Sequence, residues 1–215
     1  MILAQMQAEA SVYINTLGCA RNLVDAEVMA AEVRRAGFTI AAEPEAARVI
    51  IVHTCGFIES AINESIDTIL ALAEYKKTGT CMRLIVTGCL PERFGRDIAE
   101  ALAEVDVFLG TGGRARLVDA VAGSISPGTC IFSNPEGLAL DTHASGRRPA
   151  TYPMAYLKIA EGCNRRCTYC IIPKLKGRLR SRKPDDIRRE AEELIAAGYK
   201  EIVLIAQDSS AYGTD

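Results

Sequence analysis

The stretch VIIVHTCGFIESAINESIDTILALAEY, residues 49–75, decides the fold, because it joins a strand pattern to a helix pattern through a cysteine. Val49–Val52 is a continuous apolar run, typical of a strand in a parallel sheet that is covered on both faces. Ile58–Tyr75 has its apolar residues at helical spacing, at Ile58, Ile62, Ile66, Ile69 and Ala73. The stretch therefore predicts one βα unit with Cys55 at the junction.

The same order recurs along residues 1–123. Further strand patterns are Val12–Thr16, Thr39–Ala42, Leu84–Thr87 and Val105–Leu109. Helix patterns are Asn22–Ala36, a helix through Phe94, Ile98 and Leu102 with Pro91 in its first turn, and Arg114–Ala122. This alternation predicts an α/β fold with a doubly wound, mostly parallel sheet.

A second unit follows a stretch without periodicity. Between residues 124 and 152 Gly, Ser and Pro accumulate, which indicates a linker with at most one short strand around Cys130. A strand Met154–Ala160, a helix Pro184–Ala197 and a strand Glu201–Ala206 then form another βαβ pattern. We expect three parts: a domain over 1–123, a linker over 124–152 and the start of a second domain over 153–215.

The composition narrows the class of protein. The chain has 215 residues, a formal net charge of −2 and no apolar run long enough to span a membrane. It shows no secretory signal at its start, so we expect a cytoplasmic protein without a membrane partner, and a monomer. In that compartment its eight cysteines indicate metal or redox chemistry rather than disulfides.

Three cysteines share one local position: Cys19, Cys55 and Cys89 each follow a strand and precede a helix. The carboxyl ends of parallel strands meet at one edge of a sheet, so these thiols are expected to converge, with helix N-termini favouring thiolate. The alternative is that each is a small apolar filler. Cys81 and Cys130 lack this placement and are expected to be fillers.

Cys163, Cys167 and Cys170 form a C-x3-C-x2-C triplet. Three thiolates at this spacing can hold three irons of a cubic cluster and leave the fourth iron open. A structural zinc ion is the alternative, but it requires a fourth ligand, and no further Cys or His lies nearby in sequence. His53, two residues before Cys55, either tunes the first trio or is an ordinary strand-end histidine.

Four strings carry a family resemblance: LGCARNLVDAE (17–27), HTCGFIESA (53–61), TGCLPER (87–93) and the triplet with Tyr169 before its last cysteine. Together they resemble the methylthiotransferases of the radical S-adenosylmethionine superfamily, over residues 11–215. Within that family TCGFIESAINES, CTYCIIPKLKGRLRSR and IAQDSSAYGTD are most similar to members that modify a ribosomal protein. Members that modify tRNA differ where this chain reads ARN and AQD.

The resemblance implies an activity and its cofactors. The activity is transfer of a methylthio group to the β-carbon of an aspartate in a small-subunit ribosomal protein. The cofactors are S-adenosylmethionine and two 4Fe–4S clusters. The implied site residues are Cys19, Cys55 and Cys89 for one cluster, Cys163, Cys167 and Cys170 for the other, and Gln207 and Asp208 for S-adenosylmethionine. Neither the electron donor nor the sulfur source follows from the sequence.

Two alternatives stay open. One is a tRNA substrate, and the other is a non-catalytic metal-binding module that docks on ribosomal protein or RNA through the basic segment Lys174–Lys183. That segment can equally be a solvated connection paired with the acidic helix after it. The family continues through a partial TIM-like barrel and a small β-barrel domain, of which this chain has only the beginning. We therefore expect the isolated chain to fold over 1–123 and to be inactive or poorly soluble beyond about residue 150.

Overall fold

The computed structural model describes residues 11–78, 80–140 and 153–215. In the first unit the strands are β1 (Ser11–Thr16), β2 (Thr39–Ile40), β3 (Val49–Thr54), β4 (Arg83–Gly88), β5 (Val107–Leu109) and β6 (Thr129–Ile131). Its helices are α1 (Ala20–Arg35), α2 (Glu59–Ala73), α3 (Tyr75–Thr78), α4 (Cys89–Phe94), α5 (Arg96–Ala101) and α6 (Leu117–Val121). Residues 1–10 of the predicted first domain and 141–152 of the predicted linker lie outside the described residues.

The six strands form one parallel sheet in the order β2-β1-β3-β4-β5-β6. The chain moves outward from β1 to β2 and then returns to place β3 on the other side of β1. The direction of winding therefore reverses between β1 and β3. In open α/β sheets, ligands bind beyond the carboxyl ends of the strands at this reversal.

Apolar side chains cover both faces of the sheet, as the continuous run at Val49–Val52 predicts. Along β3, Ile51 packs on one face in a core that contains Met29 of α1. Ile50 and Val52 point to the other face, where they pack with Ile69 of α2. All five side chains are fully buried. The sheet is thus a rigid central layer that fixes the position of the residues after each strand.

Two helices that the sequence predicts as continuous in the first unit are each divided into two shorter elements, so these predictions were wrong. The helix expected through Phe94 and Leu102 is divided into α4 and α5, because Gly95 has φ 60 and ψ −130, outside the helical region. The helix expected over Arg114–Ala122 is a 3₁₀ turn, Gly112–Arg116, followed by the short α6.

The short strand expected around Cys130 is present as β6, and it pairs in parallel with β5. The first sheet therefore continues to Ile131, into the range assigned to the linker. The boundary between the first domain and the linker, like the rest of the division into domains, stays a prediction.

The second unit begins with β7 (Met154–Lys158), which pairs in parallel with the last strand, β10 (Glu201–Ile205). The chain between these two strands contains two helices, α7 (Ile172–Lys176) and α8 (Pro184–Ala196), and a short antiparallel pair, β8 (Ala160–Glu161) with β9 (Arg180–Ser181). Leu194 of α8 packs with Ala155 and Leu157 of β7 in a small core.

The two units are in direct contact. Thr111 Oγ1 donates to the carbonyl of Leu175 at 2.6 Å, and Arg21 Nη1 donates to the carbonyl of Ala206 at 3.1 Å. None of the helices in the described ranges combines the length and apolar composition needed to cross a lipid bilayer.

Candidate functional site

The first three cysteines lie at the carboxyl edge of the sheet, beside the reversal point. Cys19 is the residue before α1, Cys55 follows β3, and Cys89 is the first residue of α4. Their closeness is visible in the glycines beside them. A Cβ on Gly18 would lie 2.7 Å from Cys55 Cβ and 3.2 Å from its Sγ, and one on Gly56 would lie 2.8 Å from the Cys89 carbonyl oxygen.

The second trio is held on the loop after β8. The backbone N–H of Cys163 donates to the Gly177 carbonyl at 3.1 Å, and that of Cys170 donates to the Cys167 carbonyl at 3.1 Å. Gly162, at φ 76, brings the loop so close to the segment before β9 that an added Cβ would lie 2.0 Å from the Arg178 carbonyl oxygen. The loop is therefore fixed by backbone contacts.

All six cysteines line one space of about 380 Å³, which we call the cysteine cavity. It lies between the two units, with Cys19, Cys55 and Cys89 contributed by the first and Cys163, Cys167 and Cys170 by the second. Gln207 and Asp208 also line it, as do Arg21, Asn22 and Lys176. The fold thus brings together every residue that the sequence proposed as a ligand.

The donor set fits iron–sulfur clusters in number and kind. All eight cysteines of the chain are free thiols, and six of them face the cysteine cavity. Within the described ranges, no three His, Cys, Asp or Glu side chains converge closely enough to hold one metal ion. A cubic cluster distributes its thiolate ligands over different irons, so the trios need not converge on a single point.

At Cys89 the helix N-terminus does not by itself favour the thiolate. Burial raises the pKa of the Cys89 thiol above its usual value, although Cys89 begins α4. The expectation that thiolate is favoured was therefore wrong for this residue, because burial disfavours the charged form. Coordination to a metal deprotonates a thiol outright, so a cluster would remove this barrier.

Gln207 and Asp208 are held by charged partners. Gln207 Nε2 donates to Glu161, while Gln207 Oε1 is buried without a hydrogen-bond partner. Asp208 Oδ2 accepts from Arg165 Nε at 2.7 Å, and Asp208 Oδ1 accepts from Ser210. The hydrogen bonds from Ser210 and Arg165 hold the pKa of Asp208 below its usual value.

Four buried charged residues line one small cavity where the two units meet, and we call them the interdomain ion cluster: Asp25, Lys158, Glu161 and Lys176. Lys158 Nζ donates to Asp25 Oδ1 at 2.6 Å and to Glu161 Oε2 at 2.7 Å. Lys176 Nζ lies 3.5 Å from Asp25 Oδ2. Sequence reasoning missed this cluster, although Lys158 and Glu161 interrupt an apolar strand pattern, which is a usable signal.

His53 lines a small polar cavity of about 30 Å³ with the interdomain ion cluster, and does not line the cysteine cavity. Burial lowers its pKa to about 4, so the imidazole is neutral at physiological pH. Cys81 lies in the core on the α2 face of the sheet and Cys130 packs against that core. Neither borders the cysteine cavity.

The basic segment Lys174–Lys183 has two kinds of residue. Lys176 and Arg182 are buried, and Arg182 pairs with Glu190 of α8. Lys174, Arg178 and Lys183 are exposed. The segment is therefore partly structural and offers only a few of its charges to a partner.

Comparisons with known proteins define the class first. Residues 11–110 match the model of the uncharacterized protein family UPF0004, and residues 157–215 match that of the radical SAM superfamily. A solved radical S-adenosylmethionine methyltransferase, TsrM from Kitasatospora setae, superposes with a TM-score of 0.62 at 12% identity over 93% of this chain and 48% of its own. The chain is thus an α/β protein in which the start of a radical SAM domain follows a UPF0004 domain, as the resemblance implied.

Curated relatives then show which enzymes the chain is similar to. The protein of Desulfosudis oleivorans named "Ribosomal protein uS12 methylthiotransferase RimO" is 53% identical to this chain, over 95% of this chain and 47% of that protein. Those of Syntrophus aciditrophicus and Clostridioides difficile are 49% and 46% identical, over 96% and 95% of this chain. Over nearly its whole length the chain is thus similar to methylthiotransferases, and its two matched domains are those of UPF0004 and of the radical SAM superfamily. It spans about half the length of these relatives.

Proposed function

We propose that this chain carries both iron–sulfur centres of a methylthiotransferase that modifies the β-carbon of an aspartate in a small-subunit ribosomal protein. The observation that carries the proposal is the presence of two cysteine trios, from two units, on one cavity. The name of the relatives supports a ribosomal protein as the substrate and the cytoplasm as the location. A monomer that requires no membrane completes the proposal.

The radical SAM domain implies S-adenosylmethionine and a 4Fe–4S cluster, and the second cluster is part of our proposal. Cys163, Cys167 and Cys170 would hold the cluster that binds S-adenosylmethionine, and Cys19, Cys55 and Cys89 would hold the other. When bound, these groups supply a radical that removes hydrogen from an unactivated carbon, and the sulfur and methyl group that replace it.

The residues of this chain would position the cofactor. Gln207 is held through its Nε2 by Glu161, so its unpartnered Oε1 is available to accept a hydrogen bond from the ammonium group of S-adenosylmethionine. Asp208 is held by Arg165 at the same edge of the cysteine cavity. Phe57 and Tyr169 line the cavity with apolar surface that displaces water.

Anaerobic reconstitution followed by iron and sulfide assays tests the two centres. We expect about eight irons per chain for the wild type and about four for Cys89→Ala, since each cubic cluster holds four. Cys81→Ala is the matched control, because Cys81 is as buried as Cys89 but lies away from the cavity. One zinc per chain in place of iron, or equal loss of iron in both variants, would refute the proposal.

A second experiment identifies the substrate. Because the relatives are about twice as long, the chain is joined to the remaining half of the Desulfosudis oleivorans protein and incubated with ribosomal protein uS12 or with tRNA. Mass spectrometry is expected to find a methylthio group on an aspartate. Modification of tRNA alone would change the substrate class. Tight, salt-sensitive binding without cleavage of S-adenosylmethionine would instead indicate a binding module.

A further inference from the structure

Lys176 belongs to the second unit by sequence but is directed at the first. It ends α7, six residues after Cys170, and its side chain is 8% exposed. It borders the cysteine cavity and also the polar cavity that contains His53 and Asp25. A buried lysine in this position places a positive charge directly between the two spaces.

The charge of Lys176 is only partly neutralised within the interdomain ion cluster. Lys158 lies 2.6 Å from a carboxylate oxygen of Asp25 and 2.7 Å from one of Glu161, whereas Lys176 reaches Asp25 at 3.5 Å. Coulomb attraction falls with distance, so Lys158 takes the larger share of both carboxylates. The remaining charge of Lys176 is available to the groups on its other side.

Those groups include thiols of the first trio. Burial favours the neutral amine of Lys176, but two carboxylates and two thiols outweigh burial and raise its pKa above the ordinary lysine value. The carboxylates are Glu161 and Asp25, and the thiols are Cys89 and Cys19. Lys176 is therefore charged at every physiological pH, and it lines the same cavity as these two thiols.

We propose that Lys176 is a positioning residue that provides the positive charge for the cluster held by Cys19, Cys55 and Cys89, so that docking of the second unit raises the reduction potential of this cluster. The inference rests on the proposed function, in which these thiolates bind a 4Fe–4S cluster. Nearby charge is one of the factors that set the potential of such clusters, and a cation stabilises the more negative, reduced form. The positive charge that stabilises the cluster of the first unit would thus come from the second unit.

The test isolates one cluster. In the 215-residue chain Cys163, Cys167 and Cys170 are replaced by Ala, so that the remaining cluster, about four irons, is the one on the first trio. Its midpoint potential is measured by anaerobic titration monitored by electron paramagnetic resonance. Lys176→Met keeps the length of the side chain and removes the charge, Lys176→Arg keeps the charge, and Lys174→Met is the matched control on the exposed face of α7.

We expect Lys176→Met to shift the potential in the negative direction, with about a tenfold change in the ratio of oxidised to reduced cluster at fixed potential, or about 59 mV for a one-electron couple. Lys176→Arg and Lys174→Met are expected to stay at the value of the background protein. Loss of the cluster in Lys176→Met with retention in Lys176→Arg would also support a role for charge.

Equal potentials in Lys176→Met and Lys174→Met would overturn the inference while leaving the proposed function intact, because the iron content is measured separately. A matching shift in Lys176→Arg and Lys176→Met would also overturn it, since shape rather than charge would then be responsible. Absence of iron from the background protein itself would refute the proposed function, and with it the assignment of Lys176.

Discussion

Glycine residues set how closely the thiols of the first trio approach. Gly18 has φ +94, a conformation that side chains rarely adopt, and its missing Cβ is the space that Cys55 occupies. A Cβ on Gly56 would likewise clash with the backbone of Cys89, at 2.8 Å from its carbonyl oxygen. The geometry of the trio therefore depends on residues that bind no metal.

Gly18→Ala is expected to abolish binding of the first cluster and to spare the second. The added Cβ would lie 2.7 Å from Cys55 Cβ and would displace that side chain. Iron assays after anaerobic reconstitution should give about four irons per chain in place of about eight.

Gly37→Ala is the control for this substitution, because Gly37 has φ +92 but no neighbouring atom within 4 Å of an added Cβ. Both variants should lose about 1–2 kcal/mol of stability from the positive φ. Only Gly18→Ala should lose iron. Full iron in Gly18→Ala would show that the trio tolerates the displacement of Cys55.

At the scale of elements, the sequence predicts long, regular segments and loses short ones. The strand–cysteine–helix order at Cys19, Cys55 and Cys89 is readable because Cys55 and Cys89 directly follow the buried strands β3 and β4, and Cys19 lies three residues after β1. Strands β8 and β9 have two residues each, too few for any periodicity. Helix α7 has five residues, and in the sequence it is hidden at the start of the basic segment Lys174–Lys183.

We expect the stability of the second unit to depend on the packing of helix α8. Leu194 is 1% exposed in the small core under β7, so Leu194→Ala should cost about 2–5 kcal/mol. Ile195→Ala is the control, since Ile195 is 62% exposed and should change stability by less than about 0.5 kcal/mol.

Hydrogen exchange locates the effect of these two substitutions. In Leu194→Ala the amides of β7 and β10 should exchange faster, while those of β3 and β4 keep their protection, because a different core covers them. Equal acceleration throughout the chain would show that both units unfold as one.

At the scale of the whole molecule, the two units are joined by charges that the sequence does not reveal. Asp25 and Lys158 are separated by 133 positions, and each is ordinary in its own segment. Only the fold shows that one side chain neutralises the other. The ligand candidates were easier to predict, because they share a local pattern that repeats.

Asp25→Asn is expected to reduce the free energy of unfolding by about 3 kcal/mol, since it removes one partner from a buried ion pair. Urea unfolding at neutral pH measures the change. Glu192→Gln removes half of the exposed pair with Arg188 and should cost less than about 1 kcal/mol. Similar losses in both variants would contradict a structural role for the interdomain ion cluster.

The same carboxylate predicts a dependence on pH. Burial raises the pKa of Asp25, but Lys158 and Lys176 outweigh it and hold this pKa well below its usual value. A carboxyl whose pKa is lower in the folded state stabilises the fold above its unfolded pKa of about 3.9 and loses this effect as the pH falls further. Urea midpoints should therefore fall more steeply below about pH 4 in the wild type than in Asp25→Asn.

Both trios open onto a single space, so access to either trio is access to the other. Under the proposed function, electrons, a sulfur donor and a target side chain would all have to reach the two centres through this space. A compact synthetic inhibitor that filled this space of about 380 Å³ would therefore block access to both trios at once, whichever of them it contacted.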